Sequence, residues 1–389
     1  MQIHRSRVFQ VLLLWFAGLG AAAQFAKIAV PFRLIREAYP DVGSEIGWLL
    51  SLISLVGAIL GMVAGDLVVR FGARRILILG LLTGAVIAFW QAFLPSYTLM
   101  LISRLLEGVS HLAIVVAAPT LIVRLSVQRF VGAAMALWST FFGVSFAIVA
   151  WAVIPLLGSG GTAVLFGCHG AFMMALCILV TISIPEPKCG LIVHAQPRAG
   201  LIASHIKAYM SPHISAPAAG WLLYTLTFVS LLALLPEVLA SGDAAWAAGS
   251  MPLVSIAISL LVVPLLMRRL SSVTVIVIGF SLASAIVALN IYLDLQLVFF
   301  VALFAALGLV QGASFAAIPE LNARADDQAL AYGLIAQTGN IGNLLGTPLL
   351  LAIINAQGQA AMYTVVVTIY LVGIFLHLFL ARRRAAERV

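Results

Sequence analysis

Charge is what this sequence is short of. Only 9% of its 389 residues are Asp, Glu, Lys or Arg, against roughly a quarter in a water-soluble domain. Water is therefore not its main solvent. Recognisable reaction chemistry is missing too. There is no Gly-rich loop ending in Lys-Ser/Thr, which excludes an ATP site, and no His-Glu-x-x-His or Ser nucleophile elbow. The three cysteines, Cys168, Cys177 and Cys189, lack metal-type spacing. No enzyme activity, cofactor or metal is expected.

What the chain has in abundance is apolar residues, 63% of the total. Crossing the hydrocarbon of a bilayer takes about 20 of them per helix. Apolar runs fall near 8–34, 46–69, 75–94, 98–123, 131–156 and 162–184, then near 214–238, 245–267, 273–293, 297–323, 330–354 and 360–381. They lack strand-like alternation, and a lone chain in lipid must satisfy its backbone internally, so all are read as helices. The fold class is an all-α integral membrane protein of twelve spans in two six-helix halves. Little chain remains for a soluble domain.

The net charge of +8 resides in short clusters between runs, such as Arg5 and Arg7, Arg124 and Arg129, Arg268 and Arg269, and Arg382 to Arg384. That is the pattern of cytoplasmic loops rather than of a nucleic-acid-binding face. Of 21 Lys and Arg residues, Lys27 and Arg104 lie inside spans and Arg33 and Arg36 in an outer loop; the other 17 fall on one side if both termini are cytoplasmic. The outer loops carry Glu37, Asp41, Glu45, Glu237, Asp243 and Asp294. The N-terminus has the basic start, apolar run and small residues (Ala21, Ala22, Ala23) of a signal peptide. The apolar stretch continues to Phe32, however, and reads as a retained first helix. The expected location is a bacterial-type inner membrane.

The longest polar interval, 186–212, reads as a cytoplasmic linker between an N-terminal half (1–185) and a C-terminal half (213–389). Glu107-Gly108-Val109-Ser110-His111 in the fourth run aligns with Gln311-Gly312-Ala313-Ser314-Phe315 in the tenth, 204 residues later. A parallel repeat of that length is what a six-plus-six transporter requires.

An ionisable group at mid-membrane costs at least ~2.5 kcal/mol, so each needs a reason. Arg104, Glu107 and His111 follow at intervals of three and four and share one helical face. Lys27 lies about 10 Å from the outer end of the first run, level with Arg104. His169 in the sixth run falls at the same level. Two fixed cations at one depth favour an anionic solute, because a low dielectric lengthens the reach of their field. The alternative is that Lys27 reaches outward to the interface and Arg104 only pairs with Glu107. Glu107 reads either as that partner or as a proton carrier, with His111 beside it. Glu320 reads either as a proton carrier or as an interfacial carboxylate at the inner mouth. Gln24, Tyr224 and Asn340 are candidate neutral contacts to substrate, with Gln311, Gln337 and Asn343 also inside spans.

After the second run the chain reads Gly65-Asp66-Leu67-Val68-Val69-Arg70-Phe71-Gly72-Ala73-Arg74-Arg75. This resembles the loop signature of the major facilitator superfamily: Gly, three residues, Asp, Arg, any residue, Gly, then basic residues. Val69 holds the signature's Asp position, with Asp66 about one turn back. Arg104 followed by Gly108 resembles the family's second signature. The resemblance implies a secondary transporter working by alternating access, with Gly65, Asp66, Arg70, Gly72, Arg74 and Arg75 forming its conformational gate. Drug/proton antiporters of the family carry Gly-Pro in span five. Here that span reads Trp138-Ser139-Thr140-Phe141-Phe142-Gly143-Val144, and Gly339-Asn340-Ile341-Gly342-Asn343 is closer to the cyanate-transporter-like branch.

The expectation is a proton-coupled carrier of a small organic or inorganic anion. Its partners are that solute, the lipid bilayer and protons, with no nucleic acid and no second subunit, so a monomer. The rivals are a proton-driven efflux pump for hydrophobic drugs or metabolites and a non-transporting membrane sensor or scaffold. The sign of the cavity charge separates the first rival. The second needs a signalling domain for which a linker of about 30 residues has no room.

Overall fold

The computed structural model describes residues 7–156, 160–185, 200–239, 241–293 and 296–387, and all its regular elements are helical. Ten helices are long and apolar enough to cross a membrane. They are span 1 (Arg7–Ala29), span 3 (Ala73–Gln91), span 4 (Tyr97–Leu125), span 6 (Gly161–Ser183), span 7 (Ser215–Glu237), span 8 (Asp243–Leu266), span 9 (Ser272–Leu293), span 10 (Leu297–Leu321), span 11 (Asp326–Gln357) and span 12 (Gln359–Ala386). Span 5 is a pair, Val131–Ser139 and Phe141–Leu156, bent by 42°. Span 2 is divided into Ser44–Leu60 and Ala64–Phe71. Among the described residues, counting the bent pair and the divided helix as one crossing each brings the total to twelve.

The breaks have local causes. Gly57 and Gly61 lie where span 2 stops, and interior glycines each cost a helix about 1 kcal/mol. In span 5, Ser139 and Thr140 turn their hydroxyls onto the carbonyls of Ala136 and Leu137 at 2.7 Å, a pattern that bends helices. Both span 5 and span 8 contain a single π-helical turn, Val149–Val153 and Ile258–Val262. Two residues past the end of each lies a proline, Pro155 or Pro264, whose missing N–H frees a carbonyl one turn back. The first helix is shorter than its apolar run. It ends at Ala29, and a second helix, Phe32–Ala38, carries the chain on. Lys27 therefore lies in the last turn of span 1.

The aligned repeat corresponds to equivalent packing. Gly108 of span 4 meets the main-chain oxygen of Ile53 in span 2, and Gly312 of span 10 has the Ser259 oxygen of span 8 3.0 Å from where its side chain would begin. Only glycine permits helices to come that close. Two seams then join the halves. Span 2 lies along span 11, with Gly47 against Pro348, Gly57 against Asn340 and Gly61 against Gln337; Gln337 also donates to Ala58 O at 3.0 Å. Span 5 lies along span 8, with Gly143 against Pro252 and Gly249 against Trp151. At one end, Arg36 reaches Glu237 across the halves at 3.0 Å.

Inside, an aromatic run on span 7 stacks Trp221 on Tyr224 and Tyr224 on Phe228, each at 4.8 Å between ring centres, with Phe304 of span 10 next at 5.1 Å. Outward-facing side chains such as Phe93, Leu156, Ile182 and Phe375 are exposed apolar groups, as lipid contact demands. Of the expected linker, residues 186–199 lie outside the described residues. The rest holds a helix, Leu201–Met210, whose Lys207 pairs with Asp327 at 2.6 Å and whose Tyr209 donates to Gln337 Oε1 at 3.1 Å.

Candidate functional site

Span 1 enters the first half beside spans 4 and 6, and its last turn delivers Lys27 into their midst. Lys27 Nζ lies 2.5 Å from Glu107 Oε1, 2.6 Å from Gln91 Oε1 and 3.2 Å from His169 Nδ1. The Phe166 ring lies beneath it, with its centre 5.4 Å away. On the other side of the carboxylate, Arg104 Nη1 donates to Glu107 Oε2, and Gln91 Nε2 donates to the same oxygen at 3.1 Å. Gln91 also donates to Ser103 Oγ at 3.0 Å, and Ser103 in turn donates to Met100 O at 2.6 Å. The side chains of Lys27, Arg104 and Glu107 are all 0% exposed.

Arg104 makes one further contact, through Nε to Leu49 O of span 2 at 2.6 Å. That carbonyl belongs to a stretch where span 2 changes from α to 3₁₀ geometry at Leu52–Ser54. Arg104 Nη2 is buried and has no partner. An unpaired guanidinium N–H in a buried site is costly, so this edge is the natural place for a further acceptor.

Gln24 lies one turn before Lys27. Its Nε2 donates to Ser110 Oγ at 2.8 Å, Ser110 donates to Gly80 O at 2.7 Å, and Gln24 Oε1 is buried without a partner. His111 stands apart from the charge cluster. Its Nδ1 is 3.1 Å from Ala21 O and its ring meets Phe25 edge-on at 5.1 Å.

Three expected residues lie elsewhere. Tyr224, in the aromatic run, donates to Gln311 Oε1 at 3.2 Å, which also accepts from Ser255 at 2.9 Å. Asn340 turns its amide onto Ala336 O of its own helix at 2.8 Å and covers Gly57. As placed, it serves the seam between spans 2 and 11. Glu320 is exposed, and its oxygens accept the Ser272 N–H at 2.9 and 3.3 Å. It caps the first turn of span 9, where the helix dipole favours a carboxylate. Glu320 is thus exposed and bonded to the main chain rather than buried.

The expected gate runs from the second segment of span 2 into the start of span 3. Gly72 has φ of +89°, open to glycine and strained for side chains, and it turns the chain directly into span 3. Arg74 donates to Thr181 O and Ile184 O, both at 2.7 Å, closing off the end of span 6. Arg70 lies over the ring of Phe71 at 5.6 Å. Gly65 has open space around it. The Asp66 side chain lies outside the described residues.

One family sequence profile matches residues 11–324. The chain belongs to the Major Facilitator Superfamily. It is accordingly a multi-pass membrane protein and a secondary transporter, not an enzyme. Its fold is similar to the crystal structure of a bacterial homologue of the human lysosomal transporter Spinster, solved inward-facing and unoccupied. The TM-score is 0.75 over 97% of both chains, at 13% identity. No curated protein matches the sequence.

Sequence reasoning missed Gln91 and Ser103. A polar amide near the end of an otherwise apolar span was the available signal. His169, expected at the level of the two cations, completes the surroundings of Lys27.

Proposed function

We propose that this transporter carries a small anion across a bacterial-type inner membrane by alternating access, with both termini and the 186–212 segment in the cytoplasm. The observation that carries this reading is the imbalance of the buried cluster. Two cations share one carboxylate at 0% exposure, and one guanidinium edge lacks an acceptor. Buried charge of one sign needs a partner of the other. A carboxylate or oxyanion reaching Arg104 Nη2 supplies it, with Lys27 adding to the field. Gln24 Oε1 is the nearest candidate acceptor in sequence for a ligand hydroxyl or N–H. Tyr224 and Gln311 lie in the aromatic run of the second half. Proton coupling has less support, since Glu107 is held between two cations and Glu320 is exposed.

One observation favours the efflux reading. The stack Trp221–Tyr224–Phe228, with Phe304 tilted against its end, offers an aromatic cluster suited to hydrophobic or cationic compounds. A thermal-shift screen of purified protein against small anions and lipophilic cations separates the two. Stabilisation by anions alone is expected. Stabilisation by lipophilic cations alone would transfer the function to efflux.

A further inference from the structure

Hydrogen-bond donors and acceptors determine the charge of the buried cluster. A neutral amine offers two N–H groups and a lone pair, whereas an ammonium offers three N–H groups. Lys27 Nζ faces three acceptors: Gln91 Oε1, Glu107 Oε1 and His169 Nδ1. Three acceptors match the ammonium. His169 Nε2 lies 3.0 Å from Gly20 O, which can only accept, so the ring hydrogen is on Nε2 and Nδ1 is left to accept from Lys27. His169 is thereby the neutral tautomer. Both Glu107 oxygens receive donors, from Lys27, Arg104 and Gln91, as a carboxylate does. The empty cluster carries a charge of +1.

We infer that the protein is an exchanger of monovalent anions, in which uptake of one anion is tied to release of another. The inference rests on the anionic reading above. Alternating access passes through a state closed to both sides, where water no longer screens the site. Closed around a monovalent anion, the cluster is neutral. Closed while empty, it holds a lone positive charge, and a divalent anion leaves it at −1. Isolated charge is the costly case in a low dielectric, so the loaded protein closes readily and the empty one slowly. The closing machinery is within reach of that charge. Arg104 is tied through Nε to Leu49 O of span 2, and span 2 forms the seam with span 11 at Gly47, Gly57 and Gly61.

The test uses the purified full chain in proteoliposomes. Uptake of labelled formate, acetate, lactate, nitrate and cyanate is measured with the same anion inside, or with only sucrose and zwitterionic buffer inside. At least tenfold faster uptake with the anion inside is expected for those carried, and sulfate should not exchange. Lys27→Gln leaves the empty cluster neutral, so its ratio of the two rates should fall towards one, while Lys27→Arg should keep the ratio high. Equal wild-type rates with either interior, or uptake into anion-free vesicles driven by an imposed proton gradient, would overturn exchange while leaving anion transport standing. No uptake of any anion, together with binding of lipophilic cations, would overturn the anionic reading itself. If Lys27→Gln does not insert, the wild-type ratio decides alone.

Discussion

Lys27 Nζ and Glu107 Oε1, 80 residues apart, are 2.5 Å from each other in the interior of the first half, and neither side chain is exposed. Glu107 is thus the single negative charge holding two cations together. Removing one member of a buried pair costs about 3–5 kcal/mol when it strands an uncompensated charge. Glu107→Gln strands two cations and should lower stability by that amount. Lys27→Gln leaves the Arg104–Glu107 pair in place and should cost less. Unfolding midpoints in detergent compare them, and a larger loss for Lys27→Gln would contradict the arrangement.

The seam between spans 2 and 11 leads to a transport prediction. A side chain at Gly61 would begin 2.9 Å from Gln337 N and 2.6 Å from Gly57 O, both main-chain atoms that cannot give way cheaply. Gly61→Val should therefore hold the seam apart and slow transport at least tenfold. Gly167→Ala, in span 6 with open space around it, should be tolerated. Equal transport by the two variants would dismiss the seam as a moving part.

Gly72 is different, because its obstacle is conformational rather than steric. Nothing lies near it, but φ is +89°, and a side chain there costs about 1–2 kcal/mol. Gly72→Val should slow transport while leaving solute affinity near normal. An affinity that falls in step with the rate would show that the loop is not a gate.

Orientation can be tested by accessibility. Single cysteines placed at Arg198 or Val389, with Cys168, Cys177 and Cys189 replaced, should resist an impermeant thiol reagent on intact cells and react once the membrane is opened. Ready labelling of intact cells would reverse the topology.

Much of this was legible in the sequence because lipid leaves few choices. Long apolar runs must be helices. The faces of span 4 could be read from spacing alone, which paired Arg104 with Glu107. Breaks in spans 2 and 5 were less legible, since Gly57, Gly61 and Ser139 count as neutral in an apolar run until another helix lies against them. The partner of Lys27 was not legible at all. Its contacts to Gln91, Glu107 and His169 span 64 to 142 residues of chain, and no local pattern carries that information. Asn340 shows the same limit: its polarity marks it in the sequence, but the N–H bond to Ala336 O and its place over Gly57 come only from the fold.

The most direct measurement of anion recognition is affinity in the double variant Arg104→Ala with Glu107→Gln. The two changes keep the overall charge of the cluster but leave Lys27 with only Gln91 and His169 as acceptors, so the unfolding midpoint is measured first and affinity is read on the folded protein. What is lost is the guanidinium edge with the free Nη2. A charge-assisted contact is worth about 1.5–3 kcal/mol, so binding of the anion picked out by thermal shift should weaken about ten- to a hundredfold by titration calorimetry. Wild-type affinity in a folded double variant would contradict the role given to Arg104, and the cluster would then be a structural pair with the solute held elsewhere.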